Sequence, residues 1–260
     1  MDCKNCHTEL FEQDDYCSSC GGRVIRNRLS FKHLFEHLSE TFFNYDNKLL
    51  RTFTKLFTQP EDVIGGYIYG VRKKYINPIS FFGLALTISG LSIFIFKKFY
   101  LDSLDFSSFF ENMNVPEGFM DSSMSGAMEY NSLIYSFLVP LFALISWIVF
   151  LDKKYNLTEH IIIYLYSMSL LSMVSVIIAQ IFLIVSPSNY IIYGLLMWPL
   201  MFVYHCYILK RIFKLSFGNL ILKSVLALVL FFIVYIGVSI LGVIIMFATG
   251  SMNLEDFAPK

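Results

Sequence analysis

Apolar positions run through this chain in long blocks rather than in short alternations. Tyr75–Phe96, Tyr130–Leu151, Ile161–Leu209 and roughly Leu220–Ala248 are four such blocks. A helix needs roughly 20 residues to cross a bilayer. The third block is far too long for one helix, and Ser186-Pro187-Ser188-Asn189 interrupts it with turn-forming residues. The pattern therefore predicts five transmembrane helices, at about 78–96, 131–151, 161–185, 190–209 and 220–248. Pro78 is a good first residue for the first of them.

Ahead of the spans the period changes. From Ser30, a plausible N-cap, Phe31, Leu34, Phe35, Leu38 and Phe42 recur at helical spacing, with Lys32, His33, Glu36, His37 and Glu40 opposite. A second amphipathic helix starts at Asp46 or Asn47, with Leu49, Leu50, Phe53, Leu56 and Phe57 on one stripe, and Pro60 ends or restarts it. Such helices either lie in the headgroup layer, apolar side down, or pack on the end of the bundle.

Composition supports the membrane reading. Hydrophobic residues make 56% of the chain and charged residues 15%, whereas soluble domains run near a quarter charged. That argues against a soluble enzyme. The polar, cysteine-rich N-terminus has no early apolar core, so no signal peptide is expected. Net charge is zero, but placement is lopsided. Seventeen of the 20 Lys/Arg fall before Pro78, in the 152–160 loop or in the 210–223 loop, all on one side of an odd-numbered bundle. Positive residues stay cytoplasmic. The expectation is an inner-membrane protein with its N-terminus in the cytoplasm and its C-terminus outside.

Four of the five cysteines stand in two CxxC pairs, Cys3/Cys6 and Cys17/Cys20. Pairs this close form the two knuckles of a zinc ribbon, each bending so that both sulfurs face one ion. Gly21 suits the left-handed backbone such a turn needs. Two disulfides are the alternative, but a cytoplasmic N-terminus keeps thiols reduced. Four thiolates close the coordination shell, so one structural zinc is expected rather than a catalytic one. His7 follows a ligand and reads as an exposed knuckle residue, and Cys206 as a small buried apolar one.

Other chemistry is thin. His33-Leu-Phe-Glu36-His37 fits the H-x-x-E-H spacing of inverted zinc proteases, but the polar face of an amphipathic helix produces the same spacing, and no further ligand is evident. No nucleophile with its base, carboxylate pair, phosphate loop or open metal site appears, so an enzyme is not expected. At bilayer depth the polar candidates are Gln180, Ser172 and His205, beside Ser167, Ser169 and Ser175. Serines at near-helical spacing more often permit close helix packing than bind a substrate. Met120, Met124 and Met128 could hold Cu(I) outside the cell, or simply lie in a methionine-rich loop.

One set of residues carries a resemblance. After the ribbon come Leu50-Arg51-Thr52, Pro60, and Tyr67-x-x-Gly70-x-Arg72-x-x-Tyr75-x-x-Pro78 leading into the first span. The chain resembles the bacterial multi-pass membrane-protein family catalogued as domain of unknown function 3667, over essentially its whole length, with the specific residues in 3–78. Pro60-Glu61 departs from the Pro-Gly that the family often has. The resemblance implies a multi-pass inner-membrane protein and brings no substrate, reaction or catalytic residue.

The expected architecture is an all-α integral membrane bundle: a zinc ribbon at 1–25, juxtamembrane amphipathic helices at 26–77, a five-helix domain at 78–249 and an outer tail at 250–260. The expected function is a membrane-anchored interaction or scaffold module. Its ribbon would dock a cytoplasmic protein, and Arg72, Lys73 and Lys74 would face membrane lipid. Nucleic acid is not expected, since the ribbon offers only Arg23, Arg26 and Arg28. The alternative is a transporter or facilitator for a small neutral or lipid-like solute.

Overall fold

A computed structural model of the chain describes residues 2–22, 24, 48–101, 125–187 and 190–248. The amphipathic helix expected from Ser30, with His33, Glu36 and His37, lies outside the described residues, as do Met120, Met124 and the tail. The chain divides into two units, Met1–Lys48 and Leu49–Lys260.

In the first unit, residues 2–22 form two tight turns, the first flanked by an isolated bridge between Asp2 and Glu9. Among the described residues of this unit the buried core is Cys3, Leu10 and Cys17, with Cys6 and Val24 packed against them. So few apolar groups cannot offset the entropy of ordering the backbone.

Every regular element among the described residues of the second unit is a helix. α1 is Lys48–Thr58. A π-helical turn, Glu61–Gly65, runs on into Gly66–Ile68, and the chain then returns as a hairpin that brings Ile76 N to the Thr52 hydroxyl. Then come α2 Pro78–Phe99, α3 Asn131–Val149, α4 Leu157–Val185, α5 Tyr190–Phe213 and α6 Phe217–Ala248. Five of these helices are long and apolar enough to cross a membrane.

Local signals explain the helix ends. Asn77 caps α2, accepting from Ser80 N at 2.8 Å, with Pro78 in the first turn and Lys97 and Lys98 in the last, where cations suit the dipole. α4 begins four residues before the expected Ile161, because Asn156 and Glu159 form a capping box. α5 likewise runs on through Lys210 and Arg211 to Phe213. The apolar blocks marked the membrane portion of each helix and not its ends.

α4, with 29 residues and a length of about 43 Å, is the central helix. It packs on α2, α3 and α5, while α6 lies against α3 and α5. The main core gathers at the end of the bundle that carries the basic loops. There Leu56, Val63 and Ile64 of the hairpin are fully buried with Phe81, Phe150, Tyr166 and Ile208 of the bundle. Each such aliphatic side chain contributes about 1.5–3 kcal/mol. Of the two placements open for α1, the structure shows packing on the bundle end. Thr52 and Leu56 face inward, and Leu50 and Phe57 face out.

Candidate functional site

The two CxxC segments close the same turn twice. His7 N donates to Cys3 O at 2.8 Å and Gly21 N to Cys17 O at 2.8 Å. Cys3 N then donates to Thr8 O at 2.9 Å, and Cys17 N to Gly22 O at 2.8 Å. Both residues that follow the second cysteine are left-handed, His7 with φ 58° and Gly21 with φ 67°. His7 is therefore the counterpart of Gly21, and its exposed imidazole takes no part in the turn. The four Sγ atoms lie within 4.8 Å of one another. Cys3 and Cys20 stand 3.7 Å apart and Cys6 and Cys17 3.5 Å. Thiolates around a zinc with bonds of about 2.3 Å are spaced about 3.8 Å in a tetrahedron, against about 2.05 Å for a disulfide. This donor set could hold one metal ion.

The surroundings pull the thiols in opposite directions, and burial pushes Cys17 up to about 11 while two others come down. The Thr8 hydroxyl, 3.2 Å from Cys6 Sγ, brings that thiol down to about 6, and the Asn5 side chain lowers Cys20. A Cβ on Gly22 would stand 3.3 Å from Cys20 Sγ, so the second knuckle has little room for a larger residue.

Inside the bundle the polar candidates each find a different neighbour. Gln180 of α4 donates to Ser92 Oγ of α2 at 2.8 Å. Ser172 is buried beside the point where the Tyr135 hydroxyl of α3 donates to Met168 O at 3.2 Å, and Ser175 meets Tyr193 of α5 at 2.5 Å. Ser167 and Ser169 donate back to their own helix, to Tyr164 O and Leu165 O. His205 Nδ1 donates to Met201 O at 2.8 Å, and Tyr164 stacks on its ring. Gln180, Ser172 and His205 thus sit at separate contacts rather than in one site.

A cluster that sequence reading missed lies nearer the basic loops. Ser146 of α3 meets His160 Nδ1 at 2.9 Å, the Tyr164 ring stacks on His205, and Cys206 meets Ser224 of α6 at 3.3 Å. Among the described residues, Nε2 of His160 and of His205 is buried without a partner. The available signal was the spacing of His160 and Tyr164, four apart and so on one helical face. Placing the helix start at Ile161 hid it.

The Leu50-to-Pro78 segment is a single construction. The Thr52 hydroxyl accepts from Ile76 N at 3.1 Å, and the Tyr166 hydroxyl donates to Ile76 O at 2.6 Å. Gly70 N donates to Tyr67 O at 3.1 Å and Val71 N to Gly66 O at 2.8 Å, which is the Schellman pattern. That pattern places Gly70 at φ 102°, where a Cβ is strained. Tyr67 packs edge-on to Tyr166, and the Arg72 guanidinium lies over the Tyr67 ring at 5.7 Å. Asp62 accepts from the Tyr75 hydroxyl at 2.5 Å and from Lys74 Nζ at 2.7 Å. Arg211 of α5 grips Glu61 with two nitrogens.

Residues 46–90 match the family described as protein of unknown function (DUF3667). It is the family to which the Tyr67-to-Pro78 motif pointed. The matched segment comprises the docked hairpin and the first part of α2. No curated protein and no solved structure matches the chain.

Charge at this segment is paired within the protein. The Lys74 ammonium, and then the Tyr75 hydroxyl, hold the Asp62 carboxyl below the usual carboxylate range. The Arg211 guanidinium does the same for Glu61, and the Lys223 ammonium for Asp152. Of the three cations expected to face lipid, Lys74 is engaged by Asp62, whereas Arg72 and Lys73 are exposed.

Proposed function

We propose that this chain is a membrane-anchored interaction module whose N-terminal ribbon holds one structural zinc in the cytoplasm and docks a protein partner. The mutual spacing of the four sulfurs, which fits a tetrahedral thiolate site, carries the reading. A site closed by four thiolates gives a metal no open position, so its role is to fold the module. Cys3, Cys6, Cys17 and Cys20 would hold the ion, and its binding energy would stand in for the missing core. The ribbon presents Phe11 and Tyr16 to solvent, 81% and 61% exposed, as contact groups for a partner. The five-helix bundle is the anchor. The positive-inside distribution supports an N-terminus inside and a C-terminus outside, in the bacterial inner membrane. Gln180 and Ser175 are used in contacts between helices, which favours anchoring over passage of a solute.

The test compares crosslinked partners of the full chain, taken from membranes, with those of Cys17→Ser/Cys20→Ser and of Gln180→Leu. The reading expects the cysteine pair to lose specific partners while insertion is intact, and Gln180→Leu to keep them. Partners retained without the cysteines, together with a phenotype lost with Gln180, would replace this reading with transport.

A further inference from the structure

We infer that the 69–73 turn is a docking site for the phosphate of an anionic phospholipid. The inference rests on the membrane reading of the bundle and is independent of what the ribbon binds. Gly70 and Val71 close the turn through backbone bonds to Tyr67 and Gly66, so its shape is set before any ligand arrives. The Arg72 guanidinium lies over the Tyr67 ring, 5.7 Å from its centroid, and that ring is itself braced by the buried Tyr166. A guanidinium stacked on a ring keeps its in-plane N–H fork available for two oxygens of one phosphate.

Neighbouring acids do not compete. Asp62 is taken by Lys74 and Tyr75, and Glu61 by Arg211. Among the described residues, no ion pair involves Arg72 or Lys73. Depth selects lipid over a soluble anion. Pro78 opens the first span a few residues later, and Ile79 in its first turn is 74% exposed. Tyr69 and Val71 flank the cations at 78% and 48% exposed, the aromatic and aliphatic company that suits the headgroup layer. The basic run read from sequence thus divides by role: Arg72 and Lys73 face phosphate, and Lys74 fastens the hairpin.

The experiment uses the full chain in nanodiscs of phosphatidylcholine doped with phosphatidylglycerol, with native mass spectrometry counting the retained lipid. Wild type should retain phosphatidylglycerol in preference to phosphatidylcholine. With each interfacial cation contributing about one kcal/mol, Arg72→Gln/Lys73→Gln should weaken that preference roughly thirtyfold. Tyr67→Leu, which keeps the charge and removes the platform, should give an intermediate loss. Lys74→Gln and Cys17→Ser/Cys20→Ser should retain the lipid as wild type does. Circular dichroism of each variant checks that the helices remain. Unchanged retention in the Arg72/Lys73 variant, an equal loss in Lys74→Gln, or full displacement by inorganic phosphate would each overturn the inference.

Discussion

Asp62 makes two contributions that can be separated by substitution. Its carboxylate pairs with Lys74, with both side chains near two-fifths exposed, at 39% and 43%. Such a pair is screened by water and salt, so its share is small. The same carboxylate accepts from Tyr75, whose side chain is buried and has no other acceptor as good. Leaving a buried hydroxyl unsatisfied costs about 1–3 kcal/mol. Asp62→Ala should therefore loosen the hairpin by about 2 kcal/mol, or roughly thirtyfold in its opening equilibrium. Asp62→Asn keeps an acceptor and should do much less, and Lys74→Gln should also be mild. Hydrogen exchange of the amides between Pro60 and Ile76, in detergent, reads this opening directly. Lys74→Gln as damaging as Asp62→Ala would refute the reasoning, because the exposed pair would then dominate. The pH dependence follows from the same geometry. Lys74 and then Tyr75 depress the folded carboxyl, so its contribution is complete above the unfolded value of about 3.9 and is lost as pH falls through the folded one. Protection should be flat above about pH 5 and should fall below about pH 4.

Four further outcomes are expected. Elemental analysis of the reduced, purified chain should find about one zinc per chain, and Cys17→Ser/Cys20→Ser should remove it. Gly21→Ala, at φ 67°, should make the ribbon lose metal to a chelator more readily, by about 1 kcal/mol, while His7→Gly should be neutral or favourable. In a background without native cysteines, a cysteine at position 110 should label from outside and Lys154→Cys only after permeabilisation; the reverse pattern would invert the topology. Tyr204→Phe and Tyr207→Phe should each raise exchange in α1 by an amount worth about 0.5–1.5 kcal/mol and leave the spans unchanged.

The spans were legible because uninterrupted apolar length is itself the physical requirement for crossing a bilayer. Their ends were not, because charge near a helix end was read as lying outside the helix. Glu159 shows the error: its carboxylate accepts from Asn156 N at 2.8 Å and starts α4 rather than preceding it. The gathering of four sulfurs was legible in cysteine spacing alone. The equivalence of His7 and Gly21 was not, since a histidine carries no advertisement of a left-handed backbone. Polar residues in the spans could be named but not paired. Gln180 and Ser92 lie 88 positions apart, and only the packing of α4 on α2 joins them. For the motif the situation is reversed. Its residues were recognised together, and the structure supplies their separate reasons: Gly70 for a turn, Tyr67 for a platform, Tyr75 for a carboxylate.

Beside the buried Leu56, Val63 and Ile64, the hairpin is attached through its backbone. In the last turn of α1, Lys55 O accepts from Gln59 N, which leaves the carbonyls of Leu56, Phe57 and Thr58 without helical donors. Tyr204 donates to Leu56 O at 3.1 Å, and Tyr207 to Phe57 O at 2.9 Å and to Thr58 O at 3.4 Å. Ile76 is held at both faces, its N–H by Thr52 and its carbonyl by Tyr166. Phenols suit this task better than the alternatives. A serine on α5 would be too short to reach, and a lysine would bring a charge into the core, whereas tyrosine buries an apolar ring and delivers a donor at its tip. Because the partners are carbonyls, the outward residues of α1 are not what fastens it. Changing exposed Leu50 to another helix-forming residue should leave the hairpin docked, while losing a phenol should free the C-terminal turn of α1 first.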